Sequence, residues 1–86
     1  MRRLQNFIGG AYTDAQDGPT APLIDPSTGE TFAEAPVSGA ADVDRAMRVA
    51  ADAFTSWRRT TPSERSRALF RIADAIEARV EDLVRA

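Results

Sequence analysis

The protein is a chain of 86 residues with 11 Lys and Arg against 13 Asp and Glu, which gives a formal net charge of −2. It contains no Cys, no His and no Lys, which excludes a thiolate nucleophile, an imidazole base, a Schiff base and a thiolate metal site. An acidic pI of about 5.0, with charges of both signs interspersed, argues against a nucleic-acid-binding module.

The remaining features of length and composition are typical of one small domain with a thin core. No stretch approaches the roughly 20 apolar residues of a membrane span, so we expect no membrane partner. The apolar run of a secretion signal never develops near the N-terminus, because Asn6, Gly9 and Gly10 interrupt it. The sequence therefore indicates the cytoplasm as the default location.

Strand and turn signals dominate the first part of the chain, residues 1–37. Residues 5–8 and 11–13 flank Gly9 and Gly10, and this arrangement predicts a hairpin, since paired glycines supply the positive φ angles of a primed turn. A second hairpin is predicted from residues 21–24 and 31–37, joined by a 25–30 loop that contains Pro26 and Gly29. Pro36 indicates that the second arm is an edge or terminal strand.

A helical repeat begins at residue 40 and predicts an amphipathic helix over 40–58. Either Ser38 or Gly39 can cap this helix, and Asp42 with Asp44 complements the positive end of its dipole. Its apolar residues fall on one face, which we call the α1 stripe: Val43, Met47, Ala50, Phe54 and Trp57.

A second helix is predicted to begin at Thr61, because Thr61, Pro62 and Glu64 have the form of a capping box with Pro at the first helical position. Its apolar stripe, which we expect to pack on the first helix as an antiparallel pair over 40–86, consists of Leu69, Ile72, Ile76, Val80 and Leu83. The periodic pattern continues to Ala86 without a helix stop signal, so we expect the chain to be part of a longer protein.

Two turns offer candidate sites that are better explained by turn geometry. Gly9 and Gly10 lack the spacing and the strand-to-helix setting of a phosphate cradle. The loop from Asp25 to Glu30 carries two carboxylates and two hydroxyls, but it lacks the longer acidic pattern of a calcium loop. We expect both to be turns.

Two groups of side chains leave their role open. Phe54 and Trp57 could form a ligand shelf, although their place on the α1 stripe favours core packing. A set of arginines near residue 60 could bind an anionic partner, or could form a solvated face or a subunit contact and pair with Glu64 and Asp74; the set is Arg58, Arg59, Arg65, Arg67 and Arg71.

The ordered set of motifs resembles the N-terminal segment of the aldehyde dehydrogenase superfamily over nearly all of the chain. Four blocks carry the resemblance: Asn-Phe-Ile-Gly-Gly at 6–10 followed by Tyr12; Ile-Asp-Pro-Ser-Thr-Gly-Glu at 24–30; Asp-Val-Asp-Arg-Ala at 42–46 with Ala-Phe-Thr-Ser-Trp at 53–57; and Ser-Glu-Arg at 63–65 with Ile-Ala-Asp-Ala-Ile-Glu at 72–77. The amino-acid sequence of residues 3–8 and 50–54 is also similar to that of the aminobutyraldehyde and betaine aldehyde dehydrogenase branch.

The resemblance implies an α/β fold in which this chain is the N-terminal part of the cofactor-binding domain, with two β-hairpins followed by two long helices. It implies a fragment of an oxidoreductase that oxidises an aldehyde, in some members an aminoaldehyde, to a carboxylic acid with NAD or NADP, and that assembles as a homodimer or homotetramer. The catalytic and cofactor-binding residues of the family lie beyond this segment, so none is assigned here. In some members a main-chain carbonyl at the position of Ile24 helps to hold a monovalent cation. The alternative is a self-contained helical-hairpin module that binds another protein and has no enzymatic activity.

Overall fold

The computed structural model describes residues 2–86 and divides into two compact units, one extending to Phe54 and the other comprising Thr55–Ala86. The first unit contains five strands: β1 (Arg2–Arg3), β2 (Asn6–Ile8), β3 (Ala11–Thr13), β4 (Thr20–Ile24) and β5 (Thr31–Pro36). They are followed by three helices: α1 (Ala40–Trp57), α2 (Pro62–Ala78) and α3 (Val80–Arg85). This α/β composition confirms the predicted hairpins and helices.

The first predicted hairpin is confirmed as an isolated antiparallel pair of β2 and β3. Gly9 and Gly10 both have positive φ, 63° and 80°, which is the backbone that a type I′ turn requires. Phe7 lies opposite Tyr12, with the two rings edge to face at 5.1 Å between centroids. Both rings are exposed on the outer face of the hairpin.

The second hairpin forms the greater part of a three-stranded sheet in the order β1-β5-β4. The strands β4 and β5 are antiparallel, whereas β1 pairs in parallel with β5, placing Arg2 opposite Ala33. The prediction that Pro36 marks an edge strand is wrong for β5 as a whole, since β5 lies between two partners. Pro36 is tolerated because it is the last residue of β5 and lies beyond the short pairing with β1.

Helix α1 uses a different face from the one that its apolar pattern predicts. Its half-buried residues are Asp42, Ala46 and Val49, at spacings of 4 and 3 that place them on one side. A Cβ atom added at Gly9 would lie 3.5 Å from Cγ1 of Val49, so this side lies against the turn of the first hairpin.

The α1 stripe is exposed in this structure, which corrects the expectation that Phe54 and Trp57 pack in a core. The exposed fraction is 67% for Met47, 58% for Phe54 and 47% for Trp57. Among residues 2–86, only Ala15 and Ala33 are buried, and neither α1 nor α2 contains a buried residue. Covering the stripe therefore requires surface beyond that of the first unit.

The second unit contains the start of α2 as predicted. Thr61 Oγ1 accepts a hydrogen bond from the Glu64 amide, and the Glu64 carboxylate accepts one from the Thr61 amide, each at 3.2 Å, which confirms the capping box. The helix predicted to continue to Ala86 is interrupted at Arg79, where φ is −122° and ψ is 25°. The antiparallel helix pair involves both units and stays a prediction.

No helix within residues 2–86 is both long enough and apolar enough to cross a membrane.

Candidate functional site

The turn that follows β4 is built around the Asp25 carboxylate. Its Oδ1 accepts hydrogen bonds from the Ser27 hydroxyl at 2.7 Å and from the Ser27 amide at 2.8 Å. These two donors, with a third from the Thr28 amide, hold the pKa of Asp25 below its ordinary value of 3.8, because they stabilise the charged form. The carboxylate therefore shapes the turn.

Backbone hydrogen bonds close the same turn. The Asp25 amide donates to the Glu30 carbonyl at 2.8 Å, and the Gly29 amide donates to the Asp25 carbonyl at 2.7 Å. Gly29 has a positive φ of 74°, which a residue with a side chain adopts only with strain. The turn predicted for residues 25–30 is thus confirmed.

Ile24, the residue assigned through the resemblance to a monovalent cation site, is the last residue of β4 and precedes this turn. A register irregularity lies between Leu23 and Ile24, so the ladder is disturbed at this carbonyl. An alkali cation is held by several carbonyl oxygens at once. One strand end supplies one such oxygen, and residues 2–86 contain no cluster of three acidic or other metal-ligating side chains. A monovalent cation site at Ile24 stays a prediction.

The described residues offer no nucleotide-binding turn. Gly9 and Gly10 connect two strands of a hairpin, whereas a pyrophosphate is bound where a glycine-rich turn opens a helix. Helix α1 does begin after a glycine, Gly39, but the N-terminus of α1 already has an anionic cap in Asp42. NAD or NADP does not fit the residues of this segment alone.

The polar residues between the hairpin and α1 form a network centred on Asp42. Its Oδ1 accepts a hydrogen bond from the Gln16 amide and its Oδ2 accepts one from the Gly39 amide, each at 2.9 Å. Asn6 adds a bond from its Nδ2 to Ser38 Oγ at 2.7 Å. Gly39 is therefore the residue that caps the start of α1, and its carbonyl accepts a hydrogen bond from the Val43 amide at 3.2 Å.

A polar groove of about 610 Å³ adjoins this network, lined by Thr13, Asp14, Gln16, Ala41, Asp42, Asp44, Arg45, Arg48, Val49 and Asp52. Its carboxylates already have partners: Asp14 accepts from Gln5 at 3.1 Å and pairs with Arg3 at 3.3 Å, and Asp44 pairs with Arg48. The groove contains no nucleophile with an adjacent base, so it supports no catalytic step.

The arginine set is explained in part by the corner between α1 and α2. The Arg65 guanidinium lies 5.4 Å from the centroid of the Trp57 ring, and it donates to Thr60 Oγ1 at 2.8 Å and to the Trp57 carbonyl at 3.3 Å. A cation at the last carbonyls of a helix is favourable, so Arg65 caps the C-terminus of α1. Glu64 belongs to the capping box of α2, as its position in the sequence predicts.

Sequence reasoning missed two of these functions. Asp42 stands three residues after Gly39, which is the spacing of a helix cap, but its bond to Gln16 joins residues 26 apart and leaves no local signal. Arg65 stands eight residues after Trp57, across a turn whose path the sequence does not define.

Comparison with known proteins identifies one family. The family model described as the aldehyde dehydrogenase family matches residues 12–86. This chain belongs to the aldehyde dehydrogenase family. A self-contained interaction module is not favoured, since the match covers most of the chain.

Three relatives show what fraction of a related enzyme's length this chain spans. It is 44% identical to a 2-aminomuconic semialdehyde dehydrogenase of Danio rerio, covering 96% of this chain and 17% of that protein. It is 39% identical to a malonate-semialdehyde dehydrogenase of Halalkalibacterium halodurans, with the same coverages. Among solved structures, a salicylaldehyde dehydrogenase from Pseudomonas putida G7 matches 95% of this chain and 17% of its own, with a TM-score of 0.87 and 29% identity.

These relatives bear on two of the expectations. The α/β aldehyde dehydrogenase fold of the segment is confirmed by the structural match. The aminobutyraldehyde and betaine aldehyde dehydrogenase branch receives no support, because the relatives are named for other aldehydes. The chain spans about a sixth of the length of these three relatives, 17% in each case.

Proposed function

We propose that residues 1–86 are the N-terminal part of the cofactor-binding domain of an aldehyde-oxidising enzyme, with the hairpins at 1–37 and the helices at 40–86. The match of residues 12–86 to the aldehyde dehydrogenase family carries this proposal. In the whole enzyme, residues outside this segment would supply a cysteine that attacks the aldehyde and a carboxylate that activates the water releasing the acid, and they would hold NAD or NADP, which would supply the hydride acceptor. This segment supplies scaffold to that reaction and no reacting group.

A covalent chimera tests the proposal. The 86 residues replace the matching segment of the Danio rerio 2-aminomuconic semialdehyde dehydrogenase, which leaves the relative's own catalytic residues in place. We expect the chimera to reduce NAD in the presence of the relative's substrate, whereas the relative without the segment and the 86-residue chain alone should form no NADH. An inactive, folded chimera would contradict the proposal.

The substrate class of the whole protein is a second proposal, supported by the names of the relatives. Two of them are semialdehyde dehydrogenases, so the aldehyde is most simply a semialdehyde. The competing prediction comes from the similarity of residues 3–8 and 50–54 to the aminobutyraldehyde and betaine aldehyde dehydrogenase branch. It is that the enzyme prefers aldehydes that carry a cationic group. Steady-state kinetics of the whole protein with malonate semialdehyde, 4-aminobutyraldehyde and an uncharged aldehyde of similar length decide between them.

We propose the Ile24 carbonyl as one ligand of a monovalent cation completed by residues outside this segment. Its place at the irregular end of β4 supports this. Crystals of the chimera soaked in thallium should show an anomalous peak in contact with the Ile24 oxygen, and a peak found only elsewhere would reject this proposal.

We propose a homodimer or homotetramer for the whole enzyme, which sedimentation of the chimera tests. The cytoplasmic location stays a prediction.

A further inference from the structure

The corner between α1 and α2, residues 57–65, is held by contacts that converge on one carbonyl oxygen. The Trp57 carbonyl accepts hydrogen bonds from the Thr60 hydroxyl at 2.7 Å, the Thr60 amide at 3.1 Å and the Arg65 guanidinium at 3.3 Å. Thr60 Oγ1 in turn accepts a hydrogen bond from Arg65 Nε at 2.8 Å. The three residues therefore contact one another in a closed set, and all three lie within the second unit.

The charge of Arg65 opposes the dipole of its own helix. Arg65 lies near the start of α2, and its amide donates the first helical hydrogen bond, to the Thr61 carbonyl at 3.1 Å. A cation is unfavourable near the N-terminus of a helix and favourable near the C-terminus. The guanidinium therefore stabilises the end of α1 and does not stabilise the start of α2.

The Trp57 ring makes the contact specific for an arginine. The Arg65 Cζ atom lies 5.4 Å from the ring centroid, which is within the range of a cation–π contact. A guanidinium group donates in two directions while its flat face stays over a ring, whereas an ammonium group cannot. A formed helix fixes the direction of its side chains, so the first turn of α2 has to be folded for Arg65 to reach these groups.

We propose that Arg65 couples the two helix ends, so that the last turn of α1 is stabilised only while the first turn of α2 is formed. The capping box of Thr61 and Glu64 stabilises that first turn, and the Arg65 side chain transmits the effect to the Trp57 carbonyl. The corner then opens as one cooperative unit. This coupling is a property of the chain itself and does not depend on the proposed function.

Hydrogen exchange of the 86-residue chain, measured by NMR, tests the coupling. The reporters are the amides of Trp57 and Thr60, at the end of α1. Thr61→Ala weakens the cap of α2 and removes none of the contacts between Arg65 and the end of α1, so its effect on the reporters has to be transmitted. We expect the reporters to exchange about threefold faster or more in Thr61→Ala, and at the wild-type rate in the control Ser63→Ala.

A second pair of variants tests the path of the coupling. Arg65→Gln removes the guanidinium at similar helix propensity, and Arg67→Gln, exposed in the same helix, is its control. We expect Arg65→Gln to accelerate exchange of the reporters and Arg67→Gln to leave it unchanged. Adding Thr61→Ala to Arg65→Gln should cause no further change at the reporters, because the connection between the two helix ends is already broken.

The fluorescence of Trp57, the single tryptophan of the chain, gives an independent readout. Acrylamide should quench Trp57 more strongly in Arg65→Gln than in the wild-type chain and Arg67→Gln. Equal quenching in all three chains overturns the proposal, and so do reporters that do not respond to Thr61→Ala or that respond additively to the two replacements. Reporter amides that are unprotected in the wild-type chain also overturn it, since the end of α1 would then not be held at all.

Discussion

Asp42 joins the start of α1 and the loop after β3 through one carboxylate. It binds the amide that begins α1 and the amide of Gln16 in the loop after β3. A half-buried carboxylate that accepts two backbone hydrogen bonds is replaced by water poorly, because both donors would lose a charged acceptor. The register of α1 against the hairpin therefore depends on this residue.

We expect Asp42→Ala to destabilise the first unit by about 1–3 kcal/mol, the range for a hydrogen-bonded charged group. The amides of Gln16 and Gly39 should exchange with solvent faster, as measured by hydrogen exchange and NMR. Asp44→Ala is the matched control, since its ion pair with Arg48 is exposed and should contribute under about 1 kcal/mol. Equal exchange of both amides in Asp42→Ala and wild type would contradict this role.

Asp25 provides a pH-dependent prediction. Since hydrogen bonds from Ser27 and Thr28 lower its pKa, the turn is stabilised above the ordinary value of 3.8 and loses that contribution as the pH falls through the lower folded pKa. Ser27→Ala removes the hydroxyl donor and keeps the amide, so the pKa of Asp25 should rise part of the way to its ordinary value. A carboxyl NMR titration measures it; an unchanged pKa would show that the hydroxyl contributes nothing. Ser66→Ala, in α2, is the control.

At the scale of single elements, the cap of α2 is the clearest case of sequence determining structure. Thr61→Ala removes the side-chain acceptor of the Glu64 amide and should destabilise α2 by about 0.5–2 kcal/mol. Far-ultraviolet circular dichroism should show less helix and earlier thermal loss of helix than in Ser63→Ala. Combining Thr61→Ala with Glu64→Ala should cost less than the sum of the two, because the box is reciprocal.

Local signals predicted the elements whose determinants lie close together in the chain. Gly9 and Gly10 define the first hairpin, and Thr61 with Glu64 defines the start of α2. The parallel pairing of β1 with β5 was not predicted, because Arg2 and Ala33 are brought together only by the tertiary fold. The break at Arg79 was also missed, since its apolar repeat continues without Gly or Pro.

For the candidate site, the sequence predicted only the protein family and the position of the turn. The turn at residues 25–30 followed from Pro26 and Gly29, but the Asp42 network connects distant residues and the resemblance gave no hint of it. Hydrophobic periodicity identified the α1 stripe correctly and its burial wrongly. Periodicity reports which face of a helix is apolar, and the burial of that face depends on the surface that packs against it.

At the scale of the whole molecule, exposed apolar surface dominates the expected behaviour of the isolated chain. Sixteen large hydrophobic side chains are exposed and only two alanines are buried among residues 2–86. We expect the dilute chain to be helical, to bind a hydrophobic dye and to unfold over a broad temperature range. The Met47→Gln, Phe54→Gln variant should bind less dye than Arg45→Gln. A sharp thermal transition of a monomer that binds no dye would contradict this expectation.

The parallel pairing of β1 has a consequence for how the protein is made. A ribosome releases Arg2 and Arg3 before their partners in the sheet, Ala33 and Glu34, which emerge some thirty residues later. The β2–β3 hairpin can close in the meantime, since its strands are adjacent in the chain. β1 can therefore pair with β5 only after residues 33 and 34 have been made. A tag fused directly before Arg2 would hinder this late pairing of β1.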